Sequence, residues 1–257
     1  MTQLGPPGRW SDKTKRFQIS VVVFAGFAVL CVNWAVQTAV RGELMTTAVA
    51  VGLGSFVVAL TANAVRVRFR RSVVPRATLS DDATVIRPDA RCVRVLIIGC
   101  FGLIVSGTLF AILAPLNRID LELSGGQRLV FTFVSAFAVC ATVPWLIRSA
   151  WRGGPRIDLS PEGVDFHVDG KGASFRWDDV VAIIDHIPNG KSNTGHPITI
   201  IGDSDRTYTF DGADSYTPGG AALFWFLRFY WLTPDGRAEL AGGRAVERYL
   251  AEELPAI

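Results

Sequence analysis

Residues 17–40 read FQISVVVFAGFAVLCVNWAVQTAV, twenty-four positions without an Asp, Glu, Lys, Arg or His. A helix rises ~1.5 Å per residue and the hydrocarbon core of a bilayer is ~30 Å thick, so about 20 such residues suffice to cross it. Outward from this stretch, residues 46–65, 93–115 and 129–147 have the same character, with Arg94 the only Asp, Glu, Lys, Arg or His in any of them. A buried helix of a soluble protein is also apolar, but four of this length with charged boundaries predict a transmembrane part of four helices.

Orientation follows from Lys and Arg in the short flanks. Arg9, Lys13, Lys15 and Arg16 precede the first stretch; Arg66, Arg68, Arg70, Arg71, Arg76, Arg87 and Arg91 lie between the second and third; Arg148, Arg152 and Arg156 follow the fourth. The two opposite connections hold only Arg41, and Arg118 with Arg128. The bias predicts a multi-pass protein of the cell (plasma) membrane with both termini and the 66–91 connection in the cytoplasm. The helices would form two hairpins, the first closed by the short turn Arg41-Gly-Glu-Leu-Met. Trp145 and Trp151 flank the last crossing, where amphipathic rings favour the interface. Arg66, Arg68, Arg70 and Arg71 sit beside the second, placed for contact with anionic lipid or for docking.

The stretches offer few polar groups: Asn33, Gln37, Thr61, Asn63, Ser106, Thr108, Thr132, Ser135 and Thr142 among them. Such residues more often join helices than line a path, and Gly102 with Ser106 has small-xxx-small spacing. Gly52-Leu-Gly54 lacks the third glycine of a nucleotide fingerprint and lies inside an apolar stretch. The cysteines (Cys31, Cys92, Cys100, Cys140) show no metal-ligand spacing and read as packing residues. The long charged lead before residue 17 and the absence of a small-residue cleavage site argue against a cleaved signal peptide.

Charge divides the chain. Residues 1–155 carry 17 Lys and Arg against 7 Asp and Glu, whereas residues 156–257 carry 9 against 16. The basic first part and the acidic second part predict a transmembrane domain over 1–152 and a cytoplasmic domain over 153–257, docked on the basic 66–91 connection. From Pro155 onward the apolar period becomes two: Ile157 and Leu159, then Val164, Phe166 and Val168, then Phe175 and Trp177, with turns at Pro161-Glu-Gly163 and Asp169-Gly-Lys-Gly172. Val181 to Ile187, Ile198 to Ile201, and Tyr208 with Phe210 complete about six short strands of an antiparallel sheet, a small α+β domain.

Residues 221–232, AALFWFLRFYWL, are apolar on every side and too short to span a bilayer. The segment fits a helix that plugs the sheet, or one lying in the headgroup layer with Trp225, Phe229 and Trp231 toward the membrane and Arg228 toward phosphate. Thr233-Pro234 then opens a last helical stretch, interrupted at Gly242-Gly243.

The run IDLSPEGVDFHVDGKGASFRWDDVVAI resembles the opening of bacterial PH-like domains attached to membrane helices, through Glu162-Gly163 and Trp177-Asp178-Asp179-Val180. The resemblance covers residues 155–232 at most. It implies a partly open β-barrel closed by a C-terminal helix, with a binding role and no catalysis. The departure is electrostatic. Lys171 and Arg176 stand among Asp158, Glu162, Asp165, Asp169, Asp178 and Asp179, a balance that repels anionic headgroups.

No GxSxG, HExxH or P-loop occurs. His167, His186 and His196 lack ligand spacing and read as surface histidines, and the pairs Asp81-Asp82 and Asp178-Asp179 as solvated turns. The expected function is that of a membrane-tethered adaptor or regulatory scaffold, without enzyme activity, metal or cofactor. Its expected partners are the bilayer and a protein, and not nucleic acid. The alternatives are a small transporter or channel subunit with a regulatory domain and, third, a membrane enzyme acting on lipid.

Overall fold

Four long helices carry the apolar stretches: α1 (Thr14–Val40), α2 (Leu44–Ala64), α3 (Ala90–Leu113) and α4 (Gly125–Trp151). The computed structural model describes residues 7, 10, 14–69, 71–121, 123–151, 153–168, 171–188, 196–203 and 206–253, with the backbone alone at 14–17 and 171. By length and composition, Gln18–Val40, Leu44–Phe69, Ala90–Leu113 and Gly125–Trp151 are each able to cross a membrane. At ~1.5 Å per residue even the shortest, 23 residues, exceeds a ~30 Å core. The end of α2 widens into a π turn, Val65–Phe69.

The chain divides into two compact units, one formed by residues 18–65 and 93–151 and the other by 1–17, 66–92 and 152–257. In the helical unit, small residues set the helix spacing. A Cβ added at Gly52 would lie 2.6 Å from Gly102 O, and one at Gly102 would lie 2.7 Å from Gly52 O. Ser106 Oγ donates across the same seam to Val49 O at 2.8 Å. Gly54 faces Cys31 of α1, and Gly107 of α3 faces Val139 of α4. Thr47 Oγ1 bonds to Thr38 Oγ1 at 3.0 Å, tying α1 to α2 beside their turn. This is how helices associate where lipid removes the hydrophobic drive. No residue of α4 is buried, and Phe131, Phe133 and Phe137 are exposed on it.

The second unit holds two antiparallel sheets. One is a meander of five strands, β1 (Arg76–Ser80), β2 (Ala83–Arg87), β3 (Arg156–Leu159), β4 (Gly163–Val168) and β5 (Lys171–Arg176). The other has three, β6 (Val180–Ile184), β7 (Ile198–Gly202) and β8 (Thr207–Phe210). The first two strands lie in the 66–91 connection, which the sequence presents as a loop. Asp81 and Asp82 turn the hairpin with φ of 46° and 57°, the left-handed pair that matches strand twist. β2 then pairs with β3, Ile86 opposite Ile157 and Thr84 opposite Leu159. The connection therefore joins the acidic region through a backbone ladder as well as through charge.

The core forms between the sheets and three C-terminal pieces: α5 (Ala221–Leu232), a 3-10 stretch Pro234–Ala241, and α6 (Arg244–Ala251). Ile86, Ile157, Leu159, Phe226, Leu227 and Tyr230 are fully buried. Of the two readings of residues 221–232 the structure adopts the plug: Ala222, Leu223, Phe224, Phe226, Leu227, Phe229 and Tyr230 are all buried. Trp177 closes the interior with its Nε1–H donated to Ser160 O at 2.8 Å. Arg237 terminates α5: its guanidinium donates to Tyr230 O and Trp231 O and pairs with Asp178 at 2.8 Å, placing a cation at the negative end of the helix dipole.

Candidate functional site

The arginines that follow the second apolar stretch meet two buried acids. Arg66 Nη2 donates to Asp89 Oδ2 at 2.9 Å and to Ser72 O at 2.8 Å. Asp89, 2% exposed, also accepts the Val74 amide on Oδ2 and the Arg91 amide on Oδ1, and its own N–H donates to Ser215 O. Because it directly precedes α3, its bond to the Arg91 amide is a helix N-cap. Burial pushes its carboxyl up, but the two amides and Arg66 outweigh that and hold it below the usual carboxylate range.

Arg68 lies 3.5 Å from Asp214 Oδ2 through Nε and 3.0 Å from His196 Nε2 through Nη1. A guanidinium only donates, so His196 Nε2 accepts and the neutral ring carries its proton on Nδ1. Nδ1 is 3.8 Å from Asp214 Oδ2. Burial, then Arg68 and Arg71, lower the His196 pKa to about 4, while burial raises that of Asp214. His196 is thus no surface histidine; its side chain is 13% exposed. Arg71, with φ of 45°, is exposed beside Gly219. Arg70 lies outside the described residues.

A second locus adjoins His196 along β6 and α5. Trp10 stacks on His196 with ring centroids 4.6 Å apart and planes 17° apart, and meets Phe224 edge-on at 5.8 Å. Its Nε1–H donates to Asp185 O at 2.8 Å. Beside it opens a pocket of 210 Å³ lined by Pro7, Ile183, Ile184, Asp185, Phe224, Trp225 and Arg228. Trp10 carries no periodic signal in its flanks; a lone aromatic among polar residues is all that marks it in the sequence.

The remaining expected residues are dispersed. Trp145 and Trp151, 38% and 87% exposed, lie on α4. Trp225 and Trp231 are half-buried, and Trp231 Nε1–H donates to Val180 O. Phe229 is buried against Tyr230. His167 and His186 remain partly exposed, each beside an aspartate (Asp158 and Asp185). In the long helices the hydroxyls of Thr38, Thr61 and Thr142 bond to carbonyls one turn back. Cys31, Cys92 and Cys100 are buried free thiols, and Cys140 is an exposed one. Among the described residues no group of three or more His, Cys, Asp or Glu is placed to hold a metal.

No protein-family model, curated protein or solved structure matches the chain.

Proposed function

We propose that the protein is a multi-pass adaptor or regulatory scaffold of the cell membrane, its PH-like domain held on the cytoplasmic side to bind another protein. One observation carries this reading: the sheet-bearing unit is stitched from three separate segments, 1–17, 66–92 and 152–257. The chain therefore enters or leaves that unit at the start of α1, between α2 and α3, and after α4. A domain appended by one linker has a single attachment, whereas this one is attached to the helices through each of those segments. Two antiparallel sheets around α5 support the PH-like likeness, and the Lys/Arg distribution supports the cytoplasmic placement.

The test is purification of the full chain in mild detergent after crosslinking in intact cells. The expected result is a protein partner recovered in stoichiometric amount, with crosslinks to residues 153–253. A chain recovered alone that conducts solute in liposomes would replace this reading with the transporter one.

A further inference from the structure

The groove along β6 and α5 has the properties of a receptor already holding a ligand. Trp10 belongs to the core cluster at 8% exposure, yet it lies four residues ahead of α1 and pairs with no strand. Three contacts hold it, and together they discriminate an indole from other apolar side chains. His196 offers a flat face, Phe224 an edge-on ring, and Asp185 O accepts the Nε1–H. A phenyl ring would keep the first two and leave the carbonyl unanswered. The Trp10 amide donates to Pro7 O at 3.1 Å, so Pro7 and Trp10 enter the groove together.

The groove also outlasts its occupant. Pro7 borders the 210 Å³ pocket, which runs past Ile183 and Trp225 to Arg228. The Arg228 guanidinium lies 5.8 Å from the Trp225 ring centroid, and among the described residues no acid pairs with it. Residues 1–6, MTQLGP, supply none from the sequence either.

We propose that this groove is a receptor for a proline–tryptophan turn preceded by an acidic residue, occupied at rest by the chain's own Pro7–Trp10 turn and open to a partner polypeptide of that chemistry. This rests on the protein-binding reading above and names its ligand. A tethered occupant acts at ~mM effective concentration, so it shields the groove from weak competitors without new contacts. A partner carrying the acid gains the Arg228 pairing that the internal turn leaves unused.

The experiment uses the full chain in detergent micelles and a synthetic peptide of residues 1–16. The Trp10→Ala chain should bind the peptide about tenfold more tightly than the unaltered chain, because its internal competitor is gone. A peptide with Leu4→Glu should bind several-fold better still, and Arg228→Gln in the chain should erase that gain. If Trp10→Ala melts the domain, the unaltered chain carrying 5-fluorotryptophan serves instead, with the Trp10 fluorine signal moving on mM peptide. Folded Trp10→Ala chain that ignores the peptide, or a fluorine signal that never moves, overturns the receptor. Capture from cells separates the two readings. Peptide binding without any cellular partner would sink the adaptor and leave the receptor, and a cellular partner with no peptide binding would do the reverse.

Discussion

Asp89 caps the third long helix with one carboxylate oxygen and receives Arg66 on the other, so a single side chain joins the start of α3 to the π turn that continues α2. The carboxylate is 3% exposed and the guanidinium 22%. A buried ion pair is weak evidence of stability by itself, but breaking one leaves an uncompensated charge. Here the cap and the amide of Val74 fill the remaining acceptor sites.

Asp89→Ala should therefore destabilise more than Asp89→Asn, which keeps a capping oxygen. The cap alone is worth ~1 kcal/mol, and orphaning Arg66 adds to it. Thermal melts of the full chain in micelles should rank unaltered, Asn, Ala. Equal melting of Ala and Asn would show that the cap contributes nothing. Since the folded carboxyl is held below its ordinary value, its stabilisation is present above the unfolded value and lost as pH falls through the folded one, below about pH 4.

His196 also makes the fold sensitive to acid, over a higher pH range than Asp89 does. Its folded pKa is about 4, against an ordinary value of 6.5, so between those values the unfolded chain binds more protons. Stability rises with pH across that window. On acidification it should begin to fall below about pH 6.5, ahead of the Asp89 effect. His196→Phe keeps a stacking ring for Trp10 and has nothing to protonate. The expected outcome is a flatter stability profile between about pH 4 and 6.5, a difference on the order of 1–2 kcal/mol at the acid end. Parallel profiles would place the histidine in water.

The α2–α3 seam makes a steric prediction. Gly102 has no room for a Cβ between Ser55 and Gly52 O. Gly102→Val should force the helices apart and lower the melting temperature, whereas Gly26→Val, with nothing within 4 Å of the added Cβ, should leave it unchanged. Equal effects would mean that propensity, not packing, governs the change.

Topology is tested by cysteine labelling in a background lacking the native thiols. Arg118→Cys should react from outside intact cells and Asp82→Cys, at the tip of the β1–β2 hairpin, only after permeabilisation. External labelling at residue 82 would invert the orientation derived from the arginines.

The helical part was open to reading because the bilayer imposes one long, uniform pattern, and 17–40 carries it unmixed. The strands after Pro155 were visible for a related reason: Ile157/Leu159 and Val164/Phe166 alternate against a wet face. β1 and β2 were hidden. Arg76–Ser80 is exposed along most of its length, so no apolar alternation marks it, and the arginines around it explained themselves as topology signals. His196 and Trp10 were missed because their partners, Arg68, Asp185, Asp214 and Phe224, are all remote in sequence. Periodicity reports local faces; it says nothing of which distant loop supplies the other half of a contact.

The α5 rings provide the sharpest test of how that unit holds together. The segment has the composition of an interfacial helix, yet its burial differs from ring to ring. Phe229 is 7% exposed and packed on Tyr230, with the Arg248 guanidinium 5.7 Å from its ring centroid. Trp225 is half-buried over Arg228, at the pocket edge. Removing a buried phenyl costs ~3–5 kcal/mol, a large part of a domain's net stability of ~5–15 kcal/mol. Phe229→Ala should therefore unfold the sheet-bearing unit at a temperature at which Trp225→Ala leaves it intact. Amide exchange across β6 and β7 in micelles would follow both variants. If α5 lay in the headgroup layer instead, Phe229→Ala would leave exchange unchanged and lower only the affinity for liposomes, and the buried-helix account would fall.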